Sequence, residues 1–247
     1  MNSTARTFLG GAVGVVVLAA LGACGGGDSS EDSSGDAASE AFAKKSAKDI
    51  QDAALADMKS LDSVTMTGEL TQGEGTLGLD LTLNTDGECE GSITIGEGSA
   101  DLINVGDSSY LKGDEAFWAG TAGAEQGKSV VALLGDKWAL IPAEGGFGEV
   151  CDLDQLLDGF GDEPTDGEEP VVGDVTEVDG EEAVEVTRDK DGAKVVALVA
   201  TGDKHYILKI AQEGGDEPGS FTFSDFNEDL DVEAPADDEV VDLAQAG

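Results

Sequence analysis

Alternating apolar and polar residues dominate the chain beyond residue 60. Residues 64–70, 77–83 and 93–95 place an apolar side chain at nearly every second position. This period is typical of antiparallel strands that have one buried and one wet face. Glycine-containing segments separate the runs and predict hairpin turns. A further strand pair is predicted at 102–105 and 110–112.

The last third of the chain returns to the same pattern after a different middle. Apolar residues recur at helical spacing in 126–134 and 152–160. Between them lies a short apolar run at 137–141, which Pro142 ends. The strands predicted after this middle part are 174–178, 183–188, 193–200, 205–212 and 220–226.

An amphipathic helix is predicted in front of the first strand, over residues 42–61. Its apolar positions are spaced mostly by three or four residues, and polar residues fill the other face. Strands that flank a helical middle, with one long helix in front, predict an α+β fold. The apolar stripe of the first helix consists of Phe42, Ile50, Ala54, Met58 and Leu61.

The N-terminus has the features of an export signal. An apolar run at 8–20 follows the single basic residue Arg6 and precedes Leu21-Gly22-Ala23-Cys24. These four residues resemble the bacterial lipobox, in which the signal is cut before a cysteine that then carries lipid. The alternative is an ordinary signal peptide with an incidental cysteine. The apolar run is too short for a retained membrane-spanning helix.

This interpretation divides the chain into three parts. Residues 1–23 form a signal peptide, and residues 24–40 form a flexible acidic Ser/Gly tether that starts at the lipidated Cys24. Residues 41–247 form a single domain, which is long enough to bury a core. We expect a monomer on the extracytoplasmic face of the membrane.

The charge excludes some partners. The chain has 13 basic and 53 acidic residues and a formal net charge of −40. Such a chain cannot neutralise phosphates, so nucleic acid is not expected as a partner. Adsorption to an anionic lipid surface is equally disfavoured, so membrane attachment has to come from the lipid on Cys24. The plainest role of the acidic residues is solubility.

Besides Cys24, to which the lipobox interpretation assigns the lipid, the chain has two cysteines, Cys89 and Cys151. An exported chain with an even number of cysteines favours a disulfide between them. The alternative is a pair of buried free thiols. With His205 as the one histidine and no closely spaced cysteines, the sequence predicts no metal site and no cofactor.

No catalytic motif is present in the sequence. His205 could act as a base, but no Gly-x-Ser-x-Gly elbow supplies a nucleophile. The segment 162–167 is similar to a calcium-binding loop, yet Pro164 occupies a ligand position and Gly173 stands where the bidentate glutamate belongs. We therefore expect that the protein is not an enzyme.

The order of elements and the closing segment resemble a known family. A lipobox, a tether, a first helix and a meander are followed by Phe223-Ser224-Asp225-Phe226-Asn227 and then Val232-Glu233-Ala234-Pro235. Together they resemble the LppX/LprG envelope lipoproteins, which are LolA-like. The resemblance implies a curved antiparallel half-barrel with helices on its concave side. It also implies that lipid tails can lie between sheet and helices.

Two functions remain open on this basis. In the first, the domain is a carrier that binds a lipid or other apolar ligand in a cavity. In the second, the alternating leucines fill a solid core, and the domain is a tethered interaction module for a protein or cell-wall partner. The residues predicted to line the cavity are Leu79, Leu81, Ile93, Ile95, Leu133, Leu134, Leu208 and Ile210.

Overall fold

A computed structural model describes residues 33–73, 75–142, 148–161, 169–190 and 192–245. The helices are α1 (Ser33–Ala43), α2 (Ala47–Met58), α3 (Glu115–Ala122), α4 (Ala124–Leu134) and α5 (Leu153–Gly161), with short 3-10 turns at Gly148–Cys151 and Asp237–Glu239. The strands are β1 (Ser63–Gln72), β2 (Gly75–Asn84), β3 (Cys89–Ile95), β4 (Gly98–Val105), β5 (Ser108–Gly113), β6 (Trp138–Pro142), β7 (Val171–Val178), β8 (Glu181–Lys190), β9 (Ala193–Ala200), β10 (Ile207–Gly214), β11 (Gly219–Ser224) and β12 (Val240–Asp242).

All the described strands belong to one sheet of 12 strands, in the order β12-β6-β5-β4-β3-β2-β1-β11-β10-β9-β8-β7. Neighbouring strands are antiparallel except β12 and β6, which are parallel. The strands β1 to β6 form a first meander and β7 to β11 a last one. The pairing of β1 with β11 joins the two, so that one curved, open sheet results. The predicted α+β half-barrel is confirmed.

One face of this sheet, called the inner face below, carries the helices. Buried side chains of α2, α3, α4 and α5 form a single apolar cluster with those of the strands. Because apolar residues alternate along each strand, only one face enters this cluster. The largest fully buried side chains include Phe117, Ile50, Met58, Leu81, Leu83 and Ile93.

The predicted helix over 42–61 is wrong in one respect, because two helices occupy this part of the chain. Helix α1 ends at Ala43, and Ser46 caps α2 by accepting a hydrogen bond from the Asp49 amide at 3.2 Å. A serine followed three residues later by an acidic residue is an N-cap signal within the sequence. Helix α1 also occupies residues 33–40, which the sequence analysis places in the tether.

The apolar run at 137–141, which lies between two helical segments of the sequence, forms a strand of the sheet. It becomes β6, which lies between β5 and β12. Pro142 is its last residue, where the lack of a backbone N–H removes no hydrogen bond from within the strand pairing.

Helix α3 lies directly against the inner face at β4 and β5. A Cβ on Gly98 would come within 2.1 Å of the Phe117 amide nitrogen, and one on Gly113 within 2.5 Å of the Phe117 ring. Glycine is required at both positions because backbone and ring occupy the space of a side chain. The helix therefore covers the β4–β5 part of the inner face closely.

Among the described helices, none has both the length and the apolar character needed to cross a membrane.

Candidate ligand site on the inner face

The strand register divides the inner face into rows of laterally adjacent residues. The first row consists of Arg188, Val195, Gln212, Gly219, Leu70, Leu77, Ile95 and Gly98. The second row consists of Val186, Ala197, Ile210, Phe221, Gly68, Leu79, Ile93, Ala100 and Gly113. The third row, from β11 to β6, consists of Phe223, Met66, Leu81, Gly91, Leu102, Leu111 and Ala139.

Burial decreases from the third row to the first. Every side chain of the third row is buried. In the second row, the residues from Ala197 to Leu79 are half-buried. In the first row, all residues from Arg188 to Ile95 are half-buried. The first-row end of the inner face, called the open end below, therefore leaves apolar side chains partly exposed between β8 and β3.

The opposite end, called the closed end, is fastened to α1 and α2. Asp57 of α2 accepts hydrogen bonds from the His205 amide at 2.8 Å and from the Lys204 ammonium at 3.0 Å. The His205 ring stacks on Phe42 with 3.6 Å between centroids. These contacts hold both helices to the loop between β9 and β10.

The contact between Asp57 and Lys204 at the closed end shifts the pKa of both groups. Burial by itself raises the pKa of Asp57, but the hydrogen bonds from the His205 amide and from Lys204 outweigh this effect and lower the pKa below its ordinary value. The same contact with Asp57 raises the pKa of Lys204. Both groups therefore keep their charges, and with them the contact, over a wide pH range.

A disulfide joins Cys89, at the start of β3, to Cys151, directly before α5. Both residues are fully buried in the apolar cluster. Their Cα atoms are 5.4 Å apart, which is within the usual range for a disulfide. The link fixes the beginning of α5 against the closed end of the first meander.

Six of the eight predicted lining residues lie on or against the inner face. Leu79, Ile95 and Ile210 are half-buried and belong to the first two rows. Leu81, Ile93 and Leu134 are buried in the close-packed cluster at 0%, 2% and 4% exposure. The first three are partly exposed, whereas the second three are enclosed by protein neighbours.

Two predicted lining residues lie elsewhere. Leu133 is 49% exposed, because α4 turns Leu134 towards the cluster and a residue one position earlier points about 100° away. Leu208 packs with Ala183 and Ala200 on the other face of the sheet. A β-bulge between Ile207 and Lys209 reverses the alternation there, so Leu208 and Ile210 do not share a face.

His205 lies in the loop before β10 and not within a strand as predicted. Its ring nitrogen Nδ1 is 3.2 Å from the Ala200 carbonyl oxygen, and its backbone amide donates to Asp57. All these contacts are structural, and they engage the one histidine of the sequence in holding the closed end together.

Arg188 is a first-row residue that the sequence analysis missed. Its Nε is buried and has no hydrogen-bond partner within the described part of the chain. Val184 and Val186 precede it at alternate positions of β8 and are both buried. Their spacing was the available signal, since residues two apart on a strand share a face.

The outer face offers a different kind of surface. An open depression of about 450 Å³ lies there over β2 to β4 and is mainly polar. Within the described residues, no group of three or more histidine, cysteine or acidic side chains could hold a metal ion. The residues around the depression include Asp80, Thr82, Glu90, Ser92, Asp101 and Trp138.

Comparison with solved structures identifies the fold. LprF from Mycobacterium bovis is 14% identical in sequence and superposes with a TM-score of 0.55, over 77% of this chain and 97% of that chain. The chain has the fold of LprF. This likeness confirms the predicted resemblance to the LppX/LprG lipoproteins at the level of the fold.

A second mycobacterial structure is similar at a lower score. The Mycobacterium tuberculosis lipoprotein LppX is 15% identical, with a TM-score of 0.49 over 78% of this chain and 99% of that chain. No protein-family model and no curated protein sequence matches the chain.

Proposed function

We propose that the protein is a membrane-anchored extracytoplasmic lipoprotein that binds an acyl lipid or a similar apolar ligand at the open end of its inner face. The observation that carries this proposal is the burial gradient from the third row to the first. A folded domain normally covers large apolar side chains, and a contiguous set left half-exposed in a concave site is typical of ligand binding.

The set of half-exposed apolar side chains extends from the sheet to a helix. Val130 and Val131 of α4 pack against the same cluster and are also half-buried. An acyl chain that reached the part of the cluster beside α4 would contact sheet and helix together. The set on the strands comprises Leu70, Leu77, Leu79, Ile95, Ile210 and Phe221.

The N-terminal part of the proposal rests on the sequence. Cleavage before Cys24 would leave a lipidated cysteine followed by the acidic tether, and residues 1–32 lie outside the described residues. Because the chain is strongly acidic, the tether would hold the domain away from anionic headgroups, whose field decays over about 8 Å at physiological ionic strength. The lipid on Cys24 then supplies the membrane attachment.

One observation favours the alternative function of a tethered interaction module. The side chains of the third row, and Ile93 of the second row, are packed to near-zero exposure, as in a solid core. Such a core extends over the closed end and over β4 and β5. It leaves the first row and part of the second row uncovered, and for this reason we prefer the carrier.

Organic extraction of the purified protein, followed by mass spectrometry, tests the carrier function. We expect a co-purifying acyl lipid in addition to the lipid bound covalently to Cys24. A protein with the same acidic character but a closed apolar core, purified in parallel, controls for adventitious lipid. The absence of any non-covalent lipid, together with no uptake of added lipid, would favour the interaction module.

Replacement of the predicted anchor tests the attachment. Cys24→Ala should move the protein out of the membrane fraction or leave it unprocessed, because no other thiol can carry lipid once Cys89 and Cys151 are joined. Membrane fractionation and immunoblotting measure the outcome. A processed Cys24→Ala protein that still sediments with membranes would contradict the lipobox interpretation.

A further inference from the structure

Arg188 occupies an unusual place for a charged residue. On β8, Val184 and Val186 point into the apolar cluster with 0% and 3% exposure, and Arg188 continues the same face by one more step. Its register partner Val195 lies on the inner face of β9. The guanidinium group thus stands in the first row, at the β8 edge of the open end.

The guanidinium group has a hydrogen-bonding demand that the described protein does not meet. Its Nε is buried and makes no hydrogen bond to any residue that the structure describes. Each ion pair recorded among the described residues is made by a lysine, although the chain has 53 acidic residues. A buried donor without a partner is unfavourable, and more so in a charged group. An acceptor from outside the protein would remove this penalty.

The chemistry of such an acceptor follows from the guanidinium fork. Its donors match the two oxygens of a carboxylate or phosphate group in a planar, bidentate arrangement. The neighbours of Arg188 along the first row are largely apolar, up to Leu77 and Ile95 on β2 and β3. A ligand that satisfies both regions has an anionic head and a long apolar part.

We propose that Arg188 binds the anionic headgroup of an acyl lipid whose chains lie along the first two rows between β8 and β3. This inference rests on the proposed lipid-binding function and adds the headgroup class to it. From β8 to β2 there are five strand spacings, about 24 Å along the sheet. One leaflet of a bilayer has a hydrocarbon thickness of about 15 Å. The row is therefore long enough for an acyl chain.

Arg188 would decide between anionic and neutral lipids. A headgroup phosphate that approaches a chain of net charge −40 is repelled over most of the surface. At the open end, the guanidinium group supplies a positive charge and hydrogen bonds that a neutral headgroup uses less well. Selectivity for anionic over neutral lipid should therefore depend on this one side chain.

Two lipids with identical chains test the proposal. The full-length protein, stripped of bound lipid, is titrated with dioleoyl phosphatidic acid and with dioleoylglycerol. We expect the phosphatidic acid to bind roughly ten- to a hundredfold more tightly, as for a hydrogen bond to a charged group. Arg188→Gln should abolish this preference, so that the variant binds the two lipids with equal affinity. Arg188→Lys should keep part of the preference, because an ammonium is a point charge without the fork.

Lys194→Gln is the matched control. Lys194 lies on β9 with its side chain 45% exposed, 3.9 Å from Glu185 on the other face of the sheet. The substitution changes the net charge as Arg188→Gln does, but it should leave the lipid preference intact. Thermal unfolding of Arg188→Gln monitors the fold, so that a loss of lipid preference caused by unfolding is recognised.

The outcomes separate this inference from the function on which it rests. Equal affinity of the parent protein for the two lipids would overturn the role of Arg188, as would an unchanged preference in Arg188→Gln, while dioleoylglycerol binding would still support the carrier. Binding of neither lipid would overturn both. Inorganic phosphate, titrated alone, should bind far more weakly than phosphatidic acid, and equal affinity would contradict a lipid headgroup site.

Discussion

Replacement of both cysteines, Cys89→Ala with Cys151→Ala, should lower the free energy of unfolding by about 4 kcal/mol. The two residues are separated by 62 positions, and the loop that they close contains β4, β5, β6, α3 and α4. A cross-link over such a loop restricts the unfolded chain strongly, so its loss favours unfolding. Because Cys151 directly precedes α5, the loss should also loosen this helix. Denaturant titration of the double variant measures the change.

Chemical reduction of the parent protein provides the control. It should lower stability by a similar amount, while the same reductant should leave the double variant unaffected. Peptide mapping without reductant should recover Cys89 and Cys151 in one linked fragment. Complete alkylation of both thiols in the untreated protein would show that the bond does not form in solution.

The strands of the first meander were predictable because each hairpin is local. Their alternation and their turn glycines lie within a few residues of one another, so the sequence contains the whole signal. The pairing of β1 with β11 joins residues more than 140 positions apart, and β12 reaches β6 in the same way. Such contacts depend on the packing of the complete sheet. The resemblance to a family implied a curved half-barrel, but neither of these pairings was predicted.

The errors within the predicted site have local causes. Leu208 was assigned to the inner face by strict alternation, which the bulge at Ile207/Lys209 breaks. Leu133 was grouped with Leu134 because both are apolar, although neighbouring residues of a helix point in different directions. Arg188 was not predicted as a lining residue, because the predicted lining consisted of apolar residues alone. The alternation of Val184 and Val186 along β8 places Arg188 on the same face.

Two tryptophan substitutions should separate the open end from the packed part of the inner face. Ile95→Trp places a large ring in the half-exposed first row, where it can occupy ligand space without displacing core atoms. We expect lipid uptake to fall roughly tenfold, or about 1.4 kcal/mol, with little change in melting temperature. Leu81→Trp forces the ring into a site with 0% exposure and should cost about 1–3 kcal/mol of stability by overpacking.

Leu133→Trp completes the comparison, because Leu133 is exposed and should affect neither property. Uptake of a fluorescent fatty acid and thermal unfolding are measured on all three variants. If the open end binds lipid, uptake falls in Ile95→Trp while its stability stays near that of the parent. If the core is solid, Ile95→Trp should destabilise the fold as Leu81→Trp does, and the parent protein should take up no lipid. That result would favour the tethered interaction module, which has a solid core and a protein or cell-wall partner.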